Sequence, residues 1–170
     1  MATIPQVANS AIACVMIDPQ ELIDTCHKLV PQAATSPPSQ ADLRRAISTA
    51  YYAVFHTLAA SNAELIAGQP QSSMSGYAWE RVYRRLDHGR ARNNLRAVLN
   101  LLSPSGEFFA STFIELQDLR QEADYDPNFS ISYSDAVNII AQAETAIRNF
   151  AQLTQEERRL LVAQSMFDRR

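Results

Sequence analysis

An arginine stands where a hydrocarbon is expected. Phe109, Phe113, Leu116 and Ala123 recur at helical spacing and form one apolar stripe. Arg120 lies on that stripe, four residues after Leu116, and Asp124 follows one turn later. A guanidinium among packed helices is costly unless it is paired and hydrogen-bonded. Asp124 is the local partner, and Tyr51, Tyr52 or His56 are the long-range ones. Two outcomes follow: an Arg–Asp pair that sets helix register, or an arginine lining a polar pocket for an anion. His56 and His88 add imidazoles, which titrate near neutrality and can move protons, although the usual place of a helical histidine is as a satisfied structural group.

A second concentration of chemistry is cationic. Of 15 basic residues, only Lys28 is lysine, and six arginines fall between Arg81 and Arg96. Planar guanidinium forks suit carboxylate and phosphate better than ammonium groups do. Arg81, Arg84, Arg85, Arg90 and Arg92 are therefore candidates for nucleic-acid contacts, with a solvated basic face as the alternative. The formal charge of −3 gives no global attraction to nucleic acid. Cys14 and Cys26 are expected to be free thiols in a cytoplasmic protein. The adjacency of Cys26 and His27 is a poor metal spacing, and no metal or cofactor is expected. No basic segment precedes the apolar run 11–17, so no signal peptide is expected. No run reaches about 18 apolar residues, so no membrane span is expected.

The element that must position these groups is a long helix over 39–66. Leu43, Ile47, Ala50, Tyr51, Val54, Leu58 and Leu65 fall on one face. Arg45, Thr49, Tyr52 and His56 line the opposite side. Ala46, Ala53, Ala59 and Ala60 allow another backbone to come close. The pattern predicts a central helix contacted on more than one side. It makes Arg45, Tyr52 and His56, with Arg120, Asp124 and Tyr125, the ligand-binding candidates.

The remaining elements follow from their caps. Asp18-Pro19 with Glu21 starts a helix to about residue 30. A polar, breaker-rich loop is expected over 68–76, then helix over 77–86, interrupted or bent at 87–89, with Asp87 as the cap of a further helix through Arg90 to Leu102. Ser103-Pro104 starts a helix ended by Asp126-Pro127. Ser134 is expected to cap a helix to about residue 153. Thr154 with Glu157 makes a capping box for a last helix, whose Leu160, Leu161, Val162, Met166 and Phe167 spread around its circumference. That helix is expected to dock on the bundle or on a second subunit. With 170 residues, four glycines and no convincing strand, the chain reads as one all-α, up-and-down bundle of four to five core helices plus extra terminal helices. The expected division is an irregular segment over 1–17, the bundle over 18–153 and a C-terminal helix over 154–170.

The segment 44–59, RRAISTAYYAVFHTLA, resembles the second helix of small HEPN-domain proteins. The segment 119–127, LRQEADYDP, resembles the later motif of the subgroup with an ADYDP-like signature, and 81–92 resembles a further segment of it. The resemblance spans about 18–150. It implies a two-fold homodimer with a polar groove near the interface. Many such proteins are metal-independent ribonucleases, and others are silent partners of nucleotidyltransferases or toxin–antitoxin components. In the family's nuclease motif an Arg and a polar residue precede a His that moves the 2′-hydroxyl proton. Arg120 and Gln121 match the first two positions, but the slots for the imidazole hold Tyr125, Asp126 and Pro127. The resemblance therefore implies a binding or interaction module for RNA, a nucleotide or a protein. The alternative is a toxin-like endoribonuclease using Arg120 with His56 or His88. Arg81 and His88 also satisfy the motif's spacing, but Val82 fills the polar slot, and this match is read as coincidence.

Overall fold

Every α-helix among the described residues begins on a side chain that accepts a hydrogen bond from its own first turn. The computed structural model describes residues 17–33 and 36–167; nearly all of the expected irregular segment, Cys14 included, lies outside them. Asp18 caps α1 (Pro19–Leu29) and Ser39 caps α2 (Gln40–Ala67). Ser72 caps α3 (Ser73–Tyr83) and Asp87 caps α4 (His88–Leu95). Ser103 caps α5 (Pro104–Tyr125), Ser132 caps α6 (Tyr133–Ala151) and Thr154 caps α7 (Gln155–Met166). A single 3-10 turn, Leu99–Leu101, precedes α5. The described residues contain no strand, and the architecture is an all-α helical bundle.

Where these bounds differ from the sequence reading, local hydrogen bonding explains the difference. Ser72 and Ser75 form a reciprocal capping box that starts α3 within the expected loop. α4 starts on Asp87 as expected, with the carboxylate accepting from the Arg90 amide. It ends at Leu95, short of the expected 102, and the chain continues through turns. Ser132, not Ser134, caps α6, with its Oγ 3.1 Å from the Asp135 amide.

The central position expected for α2 is observed. It packs against α1, α3, α5, α6 and α7. Its Ala46, Ala50, Ala53, Ala59 and Ala63 are fully buried, so neighbouring backbones close in on several sides. On the α1 side the Cys26 thiol donates to the Ala46 carbonyl at 3.4 Å. Burial pushes this thiol up to about 12, which removes it as a nucleophile. No helix of the described residues is long and apolar enough to cross a membrane.

The last helix docks on its own chain. Leu161, Val162 and Met166 of α7 join the same core as α2 and α5. Asn62 of α2 donates to Ser165 at 3.0 Å. Asn94 of α4 donates to the carbonyls of Gln164 and Phe167 at 3.1 and 3.2 Å, closing the end of α7. Leu161 has no exposed surface, so Leu161→Ala should lower the free energy of urea unfolding by about 2–5 kcal/mol. Arg159→Ala, on the exposed side of the same helix, should leave it within about 0.5 kcal/mol.

Candidate functional site

Two helices of high sequence separation meet along one line of polar contacts. On α2 the contributing residues are Arg44, Ser48 and Tyr52, spaced by four. On α5 they are Arg120, Ala123, Asp124 and the cap residue Asp126. The pairs run in opposite order, so the helices are antiparallel here. Arg44 Nε donates to the Ala123 carbonyl at 2.7 Å, Nη2 to the Asp126 carbonyl at 2.8 Å and Nη1 to the Phe129 carbonyl at 3.2 Å. The last carbonyls of a helix lack intrahelical partners and carry partial negative charge, so a guanidinium is a fitting cap. One turn along, Ser48 Oγ donates to Asp124 Oδ2 at 3.2 Å. One turn further, Tyr52 accepts from Arg120.

Arg120 is enclosed. Its Nε lies 2.8 Å from Asp124 Oδ2, and Nη2 donates to the Tyr52 hydroxyl at 2.9 Å. The Nε–H does not point at the carboxylate oxygen, so that contact is an ion pair and not a hydrogen bond. The guanidinium carbon sits 5.5 Å from the Tyr52 ring centre and 5.3 Å from that of Tyr125. Both distances are within cation–π range. The side chains of Arg120 and Asp124 are 17% and 23% exposed. Desolvation is the largest single influence on Arg120 and opposes its charge. The combined pull of Tyr52, Asp124 and Tyr125 outweighs it, and the group is held above its ordinary range.

Beside this junction two tyrosine–histidine bonds cross between helices. Tyr51 of α2 bonds His88 Nδ1 at 2.6 Å, and Tyr83 of α3 bonds His56 Nδ1 of α2 at 2.5 Å. Together they clasp the α3–α4 corner onto α2. Both imidazoles lie against Phe55, His88 stacked at 4.2 Å and His56 edge-on at 5.4 Å. Tyr52 stacks on His56 at 6.0 Å and meets His88 at 6.2 Å, so it touches both rings and the arginine. Burial lowers His56, with repulsion from His88 second. Burial also lowers His88, Arg120 adds to the effect, and Asp87 opposes it. Burial raises the Tyr51 phenol well above its ordinary range, so Tyr51 keeps its proton, and the His88 tautomer sets which of the two donates.

The candidates thus divide. Tyr52, His56, His88, Arg120, Asp124 and Tyr125 come together. Arg45 does not join them; it is exposed on the flank of α2. Its neighbour Arg44, Ser48 and Tyr83 complete the cluster and were not singled out by the sequence reading. Spacing of 44, 48 and 52 was the available signal, but Tyr52 fits the 45-49-52-56 stripe equally well. The arginine run is split by the fold. Arg92 and Arg96 reach Asp118 of α5 at 2.6 and 3.5 Å, and Arg84 pairs with Glu80 at 2.6 Å. Arg81 and Arg85 are exposed, and Arg90 is half-buried. A shallow hollow of about 520 Å³ next to Tyr125 is lined by Asp118, Gln121, Glu122 and Asp126, which suits no anion. Among the described residues no three His, Cys, Asp or Glu side chains are placed to share a metal ion. No family model, curated protein or solved structure matches the chain, so the geometry carries the functional reading.

Removing one partner of a fully buried ion pair costs about 3–5 kcal/mol. Both side chains here keep some contact with water, so Arg120→Ala should cost about 1–3 kcal/mol in chemical denaturation. Arg44→Ala should cost about 2–3 kcal/mol, because three carbonyls lose a charged donor. A melting shift no larger than that of exposed Arg81→Ala would contradict either value. The histidines give a pH signature. Their folded-state affinities for protons are depressed, so the unfolded chain protonates first as pH falls. The stability is fully present above the ordinary histidine range, about 6.5, and is lost progressively below it. The melting temperature should therefore fall between about pH 7 and 5, with a shallower fall in His88→Gln. Parallel profiles for the two proteins would exclude this origin.

Proposed function

We propose that this chain is a HEPN-like module that binds without cleaving. In this reading it pairs as a two-fold homodimer and offers the polar surface around α2 and α5 to RNA or a nucleotide. A protein such as a nucleotidyltransferase or an antitoxin is the other class of partner. The observation that carries the reading is the enclosure of Arg120. Phosphoryl transfer at RNA needs a cation free to follow the developing charge and a proton carrier within hydrogen-bond reach of the 2′-hydroxyl. Arg120 spends one nitrogen on Asp124 and another on Tyr52, with tyrosine rings against it. At the places where the resembling nucleases carry histidine stand Tyr125, Asp126 and Pro127.

One observation favours the nuclease alternative. His56 and His88 lie against the same Phe55 ring, and Tyr52 links them to Arg120. Neither Nε2 has a hydrogen-bond partner among the described residues. A pair of imidazoles beside a cation is the minimal equipment for metal-independent RNA cleavage. A mixed RNA pool in chelator decides between them. The binding reading expects no cleavage above buffer and a dimer mass by light scattering. Cleavage that is lost in His56→Ala, His88→Ala and Arg120→Ala alike would establish the nuclease instead, and a monomer mass would remove the pairing.

A further inference from the structure

We infer that the outer face of α3 is a docking strip for single-stranded nucleic acid. This rests on the RNA arm of the reading above and adds to the α2–α5 surface a second contact, away from the Arg120 junction. Trp79 is the buried residue of α3, and it faces the bundle. The opposite side presents Met74, Tyr77 and Arg81 at three- and four-residue steps, with Arg84 and Arg85 after the last turn. Tyr77 is 66% exposed and Met74 83% exposed. A phenol ring that open contributes little to folding and is a ready platform for a base, since every base has a π-face.

The charge on the strip is complementary to a phosphodiester chain. Arg84 is held by Glu80, while Arg81 and Arg85 have no ion-pair partner among the described residues. Three guanidinium groups against one carboxylate leave a local excess of two positive charges on a chain whose overall charge is −3. Guanidinium forks match phosphate oxygens and also stack on bases. An anionic membrane is the weaker occupant. One Met and one Tyr side chain bury less hydrocarbon than a myristoyl chain, which alone gives only marginal membrane binding. An acidic protein would use the arginines but would leave Tyr77 without a base to stack on.

The test is fluorescence anisotropy of a labelled oligouridine at about 50 mM salt. Unlabelled polyglutamate and phosphatidylserine vesicles serve as competitors. Wild type should bind, with a log–log salt slope of about −1.4 for two phosphates neutralised on a single strand. Tyr77→Ala should weaken binding about tenfold. Arg81→Glu with Arg85→Glu should abolish it, and the melting temperatures of both variants should stay at the wild-type value because all three side chains are exposed. No binding by wild type would overturn the assignment, while the cleavage and mass assays would still judge the module itself. Binding that survives the α3 substitutions but is lost in His88→Ala would move the site to the Arg120 junction. Polyglutamate competing as well as oligouridine, with Tyr77→Ala unchanged, would make the strip an acidic-protein site and overturn the inference. Displacement of the oligouridine by vesicles alone would do so in favour of a lipid surface.

Discussion

The structure depends on keeping one guanidinium charged inside a helix junction. Arg120 cannot be neutralised at any ordinary pH, so the fold must supply what water would have supplied. It does so with a carboxylate one turn along its own helix and a phenol from α2, and with two aromatic faces. Each of these partners acts only when α2 and α5 sit in one register. A slide by a single turn would separate Tyr52 from Arg120, Ser48 from Asp124 and Arg44 from the end of α5. Packing of alanine and leucine tolerates such slides at modest cost, since apolar contact is not directional. The polar line does not, and it therefore selects one arrangement among several that the hydrophobic core would permit.

That junction also sets the chemistry next to it. Burial is the main cause that lowers the proton affinity of both His88 and His56; Arg120 adds to it at His88, and His88 adds to it at His56. The result is a pair of imidazoles biased toward neutrality, each held at Nδ1 by a tyrosine. The clasp on the α3–α4 corner and the ion pair on α5 are thus one electrostatic unit: a second positive charge in either imidazole would be repelled by the first. Neutral rings pack against Phe55 without the desolvation cost that imidazolium would carry.

Much of the fold could be read from the chain because helix starts are local. Asp18, Asp87, Ser103 and Thr154 cap helices where their spacing indicated, since a cap needs only the next three residues. The α3 start was hidden because Ser72 and Ser75 resemble loop composition, and Ser132 competed with Ser134 two residues away. The Arg120–Asp124 pair was legible from an arginine on an apolar stripe. Arg44 was not, because its partners are backbone carbonyls at 123, 126 and 129. Carbonyls leave no mark in a sequence. The two crossed Tyr–His bonds join residues 27 and 37 positions apart, and periodicity carries no information across such a gap.

The arginines show why clustering in sequence and clustering in space are different quantities. Six lie between positions 81 and 96, but the turn between α3 and α4 points them in different directions. Arg92 and Arg96 converge on Asp118, where they tie α4 to α5 and leave little charge for a ligand. Arg44 and Arg158 act alike at the other ends of helices; Arg158 donates to the carbonyls of Phe150 and Ala151 at the end of α6 and stacks on Phe150. A guanidinium suits that task because it offers several in-plane donors to carbonyls that would otherwise go unpaired. Arg81 and Arg85 close no helix end and stand exposed in and just after the last turn of α3, while Arg45 and Arg159 stand exposed on other helices, so these exposed arginines are ones not spent, among the described residues, on closing helix ends or on ion pairs.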